Sequence, residues 1–327
     1  MSKTNGSTVN PVLAVTKARQ QEAQPPKQEQ PTFGDDTVLW PRIRTVIENS
    51  IANNPRSLQK TIGPSELGTD SLHTLAAKLA GWPHPEQPNW GAFVGTSVHA
   101  QLQREFDALN ETHDSETIAM LNRMFGDRIR GHRRFETEKS VTVGHLEGLY
   151  GGYDVTGSID LYIPGCATII DWKNVGTTTA KNVKANGVSQ QYRVQVSLYG
   201  LGIRNSDLPI EWVSDIFLPR TGLSLNDTIP RRWPFDPKPG QWALARAQLL
   251  VNLMDVIEQA DGAEMRDAWI SLLPESPTHD FNDGTWPDSD QLGLGIDEKP
   301  RPEVPEKWKQ LIPLLEPTYS PQQTNNQ

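Results

Sequence analysis

Residues 157–176 read GSIDLYIPGCATIIDWKNVG, and this stretch decides the fold class. Two runs of alternating apolar and polar residues flank a Pro-Gly turn, which predicts a β-hairpin. Because side chains alternate between the two faces of a strand, Asp160 is expected on the polar face of the first strand. Asp171 and Lys173 are two residues apart and share a face of the second strand. The hairpin can therefore bring these three side chains to one side of a sheet.

The three side chains have a common chemical use. Two carboxylates and a backbone carbonyl can hold Mg²⁺ or Mn²⁺ through hard oxygen ligands. A bound metal polarises a phosphate and lowers the pKa of a bound water molecule, and a nearby ammonium can stabilise the charge that builds on phosphorus. The alternative is an exposed hairpin with an ordinary ion pair between Asp171 and Lys173, and a D-x-K pattern alone favours that alternative.

Helical and strand-like periods surround the hairpin. Apolar stripes predict helices at 37–53, 91–110, 115–130, 188–204 and 240–259, and a short helix at 305–315. A further helix is predicted to begin after a cap at Ser65. Strands are predicted at 133–143, 153–163, 167–173, 210–219 and 226–233. This order predicts an α/β fold with a small mixed β-sheet flanked by helices.

The chain is expected to divide into three parts. Residues 1–36 contain little apolar material and are predicted to be a disordered tail. Residues 37–273 hold the periodic segments and form the folded domain. Proline, aspartate and glycine dominate from 274 onward, so 274–327 is predicted to be mostly irregular.

Bulk properties exclude several classes of protein. The net charge of −9 argues against broad binding to a polyanion, although it permits a narrow groove in which bound metals supply positive charge. One cysteine, Cys166, excludes an intrachain disulfide and a multi-cysteine metal site. No apolar run approaches the roughly 20 residues of a membrane helix, and the N-terminus lacks a secretory signal. We therefore expect a cytoplasmic protein that does not bind membranes.

Two helices carry further polar residues of interest. His99 lies in GTSVHAQLQREF, and Gly95 one turn earlier leaves room beside it. Gln195 and Tyr199 lie in QVSLYG, four residues apart on one helical face, where an amide and a phenol can bind phosphate oxygens. Each signal alone favours a structural residue: a packed or surface histidine in the first case and a partly buried tyrosine in the second.

The motifs taken in order are more specific than any one of them. G-x-x-x-H is followed by an acidic strand, G-x-x-D, D-x-K and Q-x-x-x-Y. In this order, residues 62–220 resemble the RecB-type branch of the PD-(D/E)XK nucleases, which includes the CRISPR-adaptation nucleases and is frequent in phages. The resemblance covers about half of the chain. It implies a restriction-endonuclease-like core that cleaves DNA with Mg²⁺ or Mn²⁺, and a phage or actinobacterial origin.

The resemblance also implies roles for individual residues. His99 and Asp160 would be metal ligands, and Asp171 would take the acidic position of the D-x-K motif. The backbone carbonyl of Trp172 would complete the metal shell, and Lys173 would be the catalytic lysine.

Two further assignments follow from the same resemblance. Gln195 and Tyr199 match a motif that is linked to DNA contact. The acidic strand RRFETEKSVTV offers Glu136 and Glu138 on one face, and Glu138 fits better because it stands just before the apolar alternation.

The chain departs from many of these relatives in one respect. They hold an iron–sulfur cluster with four cysteines, whereas Ser71 and Thr74 stand where the first cysteine is expected. Because such clusters need thiolate ligands, no iron–sulfur cluster is expected. The C-terminal segment must then be held in another way, and packing of Trp286 on the core is the predicted one.

The expected activity is that of an exonuclease on DNA ends or single strands in recombination or repair. One alternative is a structure-specific endonuclease that cuts flaps or branched DNA. Another is a catalytically inactive DNA-binding module, although the intact set of motif residues argues against it. The expected partners are single-stranded DNA or duplex ends, with a recombination or replication protein as a further candidate, in the host cytoplasm if the protein is viral.

Overall fold

A computed structural model describes residues 39–52, 62–82, 89–276 and 301–320. The predicted tail at 1–36 and Trp286 lie outside these residues. The chain divides into two units, Met1–Ser50 and Ile51–Gln327. In the first unit, the structure describes one helix, α1 (Trp40–Ala52), which corresponds to the helix predicted at 37–53.

A five-stranded sheet organises the second unit, with the strands in chain order. The strands are β1 (Glu136–Gly148), β2 (Gly151–Ile163), β3 (Thr168–Val175), β4 (Trp212–Pro219) and β5 (Ile229–Pro234). All neighbours are antiparallel except β3 and β4, which are parallel. The parallel pair needs a crossover connection, and helices α6 (Thr177–Asn186) and α7 (Gln190–Asn205) provide it. The predicted α/β fold with a small mixed sheet is confirmed.

The remaining helices follow most of the predicted segments. They are α2 (Pro64–Leu67), α3 (Leu72–Leu79), α4 (Trp90–Asn110), α5 (Ser115–Phe125), α8 (Lys238–Asp261), α9 (Ala263–Ile270) and α10 (Glu306–Lys309). Helix α5 is shorter than the predicted 115–130, because Gly126 adopts a φ of 75° that ends the helix. Helices α6 and α9 were not predicted.

The cap predicted at Ser65 is wrong. Ser65 lies inside α2, whose N-cap is Gly63. Ser71 is the residue that caps α3: its Oγ accepts a hydrogen bond from the Thr74 backbone N–H at 3.1 Å and donates one to Thr74 Oγ1 at 2.9 Å. The two residues that replace the expected cysteine therefore start a helix.

Three hydrophobic clusters fix the helices on the sheet. The largest packs α3, α7, α8 and α9 against it, with Leu75, Val155, Ile159, Leu198, Leu250 and Trp269 among its buried members. A second packs α4 and α5 against it through Phe106, Leu121, Phe135, Leu161 and Ile163. A third explains α6, whose few apolar residues, Ala180 and Val183, pack with Phe217 and Ile229.

The described C-terminal residues are held by hydrogen bonds to helices. Trp269 Nε1 donates to the Trp308 carbonyl at 2.9 Å, and Trp308 Nε1 donates to Asp261 Oδ2 at 2.6 Å. Further along, the Pro317 carbonyl accepts from Gln190 Nε2 at 3.1 Å and from Arg246 Nη1 at 2.9 Å. Regular structure here is limited to α10 and a 3-10 turn at Ile312–Leu314, close to the short helix predicted at 305–315.

Within the described segments, no helix combines the length and the apolar character that crossing a membrane demands.

Gly157 provides a test of this packing. A Cβ at this position of β2 would lie 2.7 Å from Pro64 Cγ and 2.8 Å from Tyr199 Cε1. We expect Gly157→Ala to lower the free energy of unfolding by about 1–3 kcal/mol, the usual cost of overpacking a filled core. Urea denaturation measures the change.

The matched control is Gly95→Ala in α4. A Cβ there meets nothing closer than Asn174 Cβ at 3.9 Å, and alanine is favoured over glycine within a helix by about 0.5–1 kcal/mol. Equal destabilisation by both substitutions would contradict the close approach of β2 to α2 and α7.

Candidate functional site

The site lies where β2 and β3 separate. Their regular pairing covers Leu161–Ile170, Tyr162–Ile169 and Ile163–Thr168, after which β3 continues alongside β4. Asp160 and Asp171 are the next residues along the two strands. Asp160 is buried, and its Oδ2 accepts a hydrogen bond from the Trp172 backbone N–H at 2.7 Å. A side chain thus takes the place of a ladder partner and fixes the carboxylate at the fork.

His99 approaches the same carboxylate from helix α4. Its Nδ1 lies 3.2 Å from Asp160 Oδ1, and the side chain is mostly buried. The helix is held on the sheet farther along by Phe106, whose ring stacks on that of Trp172 with centroids 6.1 Å apart. Gly95 faces Asn174 of β3, where a Cβ would be in ordinary contact at 3.9 Å.

Glu138 completes a cluster of three potential ligands. One ligand atom from each of His99, Glu138 and Asp160 lies within 4.8 Å of the other two. Glu138 has a φ of 45°, and its Oε2 accepts a hydrogen bond from Ser158 Oγ at 2.6 Å. Glu136 instead pairs with His132, at 2.8 Å, and with Lys139. The structure therefore places Glu138, and not Glu136, with the other two residues.

Asp171 and Lys173 share a face of β3, as predicted, and pair with each other. Lys173 Nζ lies 2.6 Å from Asp171 Oδ2. Gln195 of α7 bridges the pair, since its Nε2 donates to Asp171 Oδ1 at 3.2 Å and its Oε1 accepts from Lys173 Nζ at 2.6 Å. Both Asp171 oxygens are thus engaged by protein groups. Asp171 lies beside the three-residue cluster and outside it, so a metal shared by Asp160 and Asp171 stays a prediction.

Helix α7 forms a wall of the site around the lysine. Gln195 also donates to Tyr199 Oη at 3.0 Å, and both side chains are buried. The Tyr192 ring lies under Lys173, with Nζ 4.7 Å from its centroid. The spacing of Gln195 and Tyr199 correctly indicated a shared face, and this face contacts the D-x-K pair. Their contact with DNA stays a prediction, whereas the burial of Tyr199 agrees with the structural alternative.

Asp215 is a site residue that was not predicted from the sequence. This residue of β4 is paired in register with Asp171 and is fully buried. Neither of its carboxylate oxygens has a hydrogen-bond partner among the residues that the structure describes. The signal in the sequence is a lone carboxylate within VSDIFLP, where a strand buried on both faces should be continuously apolar.

Burial and mutual repulsion shift the pKa values of these groups. Burial raises the pKa of Asp171 to about 6, against the lowering effect of Lys173. Burial, followed by the charge of Asp171, raises the pKa of Asp215 well above its ordinary value. Burial alone would lower the pKa of Lys173, but Asp171 and Asp215 together outweigh it and raise the pKa. One ammonium thus faces an excess of carboxylates.

This donor set fits a hard divalent cation. Carboxylate oxygens with one imidazole suit Mg²⁺ or Mn²⁺, and the surplus of negative charge is what such a cation would neutralise. His99, Glu138 and Asp160 are the residues placed to hold it, with Asp171 adjacent.

Comparisons with known proteins add little. No protein-family model matches the chain, and no curated protein matches it significantly. Among solved structures, the one titled "Crystal structure of SSO0001" is 12% identical, with a TM-score of 0.36, and the match covers 65% of this chain and 87% of that chain. A likeness at this level carries no argument about fold or function.

The raised pKa of Asp171 predicts a pH dependence of stability. Because the folded state holds this proton more tightly than the unfolded chain, Asp171 makes the metal-free protein less stable as pH rises from about 4 to about 6. Asp171→Asn removes this effect. Its stability relative to the native protein should therefore rise by about 2 kcal/mol between pH 4 and pH 7, slightly less than the equivalent of two pKa units.

Urea denaturation in EDTA at several pH values measures this difference. The exposed Asp127→Asn is the matched control for the loss of a carboxylate elsewhere. A stability difference for Asp171→Asn that does not change with pH would show that Asp171 is ionised throughout.

Proposed function

We propose that this protein is a divalent-metal-dependent deoxyribonuclease that acts as an exonuclease on DNA ends or single strands. The observation that carries the proposal is the cluster of His99, Glu138 and Asp160 at the strand fork, next to the paired Asp171 and Lys173. These are the residues on which the resemblance to RecB-type PD-(D/E)XK nucleases rests, and they come from four separate elements of the fold.

Each group has a part in phosphodiester hydrolysis. A cation bound at His99, Glu138 and Asp160 would supply Lewis-acid activation of the phosphate and of a water molecule. Lys173 carries the positive charge that stabilises the negative charge developing on the phosphate oxygens. Gln195 orients that ammonium, because it accepts from Nζ while its own amide is fixed by Asp171 and Tyr199.

An exposed tryptophan supports an unpaired strand as the substrate. Trp90 begins α4, the helix that carries His99, and its ring stacks on Phe93 with centroids 5.5 Å apart. Arg220 approaches the same turn at Gly91 and binds Asn174 Oδ1 through its Nε at 3.0 Å. An aromatic face next to a guanidinium suits a base and its phosphate. Trp90 and His99 are about 13 Å apart along the helix axis and lie on opposite faces of α4, so a bound strand would have to pass around the helix to reach the metal cluster.

Two other functions remain as alternatives. A structure-specific endonuclease would use the same metal cluster on flaps or branched DNA. A catalytically inactive DNA-binding module would not need the ion pair of Lys173 and Asp171 beside that cluster. A role in recombination or repair, a partner protein of those processes and a cytoplasmic location are part of the proposal.

The central test is cleavage of end-labelled single- and double-stranded DNA in Mg²⁺, Mn²⁺ or EDTA. We expect cleavage only with metal, and a loss of at least about a hundredfold in Glu138→Gln, Asp160→Asn and Lys173→Ala, the usual cost of removing one transition-state contact. Glu136→Gln is the matched control, because Glu136 lies on the same strand and pairs elsewhere. Strong cleavage in EDTA would falsify the proposal.

Circular single-stranded DNA separates the two modes of cleavage. An exonuclease should degrade linear strands and leave the circle intact, since a circle has no end. Cutting of the circle, or release of an intact flap from branched DNA, would favour the endonuclease.

Substitution of Trp90 tests whether the protein binds unpaired DNA through this residue. We expect Trp90→Ala to weaken binding of a single-stranded oligonucleotide about tenfold, because stacking of one base contributes about 1–3 kcal/mol. Fluorescence anisotropy with catalytically inactive Asp160→Asn protein measures the affinity. Tyr150→Ala is the control, since Tyr150 is an exposed aromatic residue at the turn between β1 and β2. Equal affinities for both variants would exclude Trp90 from the DNA path.

A further inference from the structure

Asp215 is the buried group that the proposed mechanism leaves unexplained. Its side chain is completely inaccessible, and within the described parts of the chain no donor reaches either oxygen. Buried carboxylates nearly always have hydrogen-bond partners, because loss of hydration without compensation is costly. A buried carboxyl group without a hydrogen bond calls for a partner that arrives in another state of the site.

The position of Asp215 identifies that partner. Asp215 and Asp171 are register partners on parallel strands, so their side chains lie on the same face of the sheet, one strand spacing of about 4.8 Å apart. Lys173 lies on this face too. Its ammonium is attracted first by Asp171 and next by Asp215. Lys173 is therefore the cationic side chain available to both carboxylates.

Binding of a metal by Asp171 would weaken its ion pair with Lys173. One Asp171 oxygen accepts from Gln195, and the other is paired with Lys173. If Asp171 turns an oxygen to a cation, the ion pair with Lys173 is weakened. A buried ammonium without a carboxylate partner is strongly unfavourable, so the metal would have to compete with Lys173 for Asp171.

We propose that Asp215 is a positioning residue that accepts the Lys173 ammonium when Asp171 binds the metal. This inference rests on the proposed function, because it requires Asp171 to become a ligand. The exchange is a small one: Lys173 keeps the Gln195 oxygen and the Tyr192 ring as neighbours and replaces one carboxylate by the adjacent one. Asp215 thereby reduces the competition between Lys173 and the metal, and the ammonium stays against α7.

A double-mutant cycle on metal affinity tests the exchange. Calorimetry with Mn²⁺ and no DNA is applied to the native protein, Asp215→Asn, Lys173→Ala and the double variant. We expect Asp215→Asn to bind Mn²⁺ about tenfold more weakly, equivalent to about 1.4 kcal/mol. In the Lys173→Ala background the same substitution should change the affinity by less than twofold, because the competing ammonium is gone. Asp127→Asn is the control for the loss of a carboxylate.

The other outcomes are distinguishable. Equal losses in both backgrounds would mean that Asp215 contacts the metal itself, and the inference would be overturned while the proposed function stands. If Asp215→Asn and Asp215→Ala both fail to fold while Lys173→Ala folds, Asp215 supports the fold and the inference is wrong. If the native protein does not bind Mn²⁺, the proposed function fails and the inference falls with it.

Discussion

The hydrogen bond from the Trp172 backbone N–H to Asp160 is the interaction on which the rest of the site depends. At this point β3 leaves β2 and follows β4, so a backbone donor loses its ladder partner. A side-chain carboxylate satisfies it, and this fixes the carboxylate between His99 and the strand. The fork also gives Asp171 and Lys173 access to α7. Because buried donors need hydrogen-bond partners, the Trp172 N–H fixes the position of the Asp160 carboxylate.

The sequence was a good guide where local periodicity decides structure. The existence of all five strands was predicted, the shared face of Asp171 and Lys173 follows from alternation, and the amphipathic helices follow from their apolar stripes. Helix α6 was missed because TTTAKNVKAN has almost no stripe, and only its packing on Phe217 and Ile229 stabilises it. Asp215 was missed for a different reason. Its neighbour Asp171 is 44 residues away in sequence, and parallel pairing is not encoded in either strand alone.

The buried carboxylates of the site lower the stability of the folded protein. Asp160, Asp171 and Asp215 surround one ammonium, and two of these carboxylates have raised pKa values because burial and mutual repulsion disfavour their charged forms. Lys173 is held among these carboxylates by a hydrogen bond to Gln195 and by contact with the Tyr192 ring, and Tyr199 in turn fixes Gln195. Local conflicts of this kind are expected where function is selected over packing. They explain why local sequence rules fail at the fork and succeed in the surrounding core.

The contacts of Gln190 have a consequence for the order of folding. Gln190 begins α7, and its side chain bonds the carbonyl of Pro317 and the backbone N–H of Tyr319, 127 and 129 residues later in the chain. Such distant closures are entropically expensive and form late. The first turn of the helix that carries Gln195 therefore gains these two hydrogen bonds only after residues 317–319 have been synthesised, whereas its core contacts, such as those of Leu198, can form earlier.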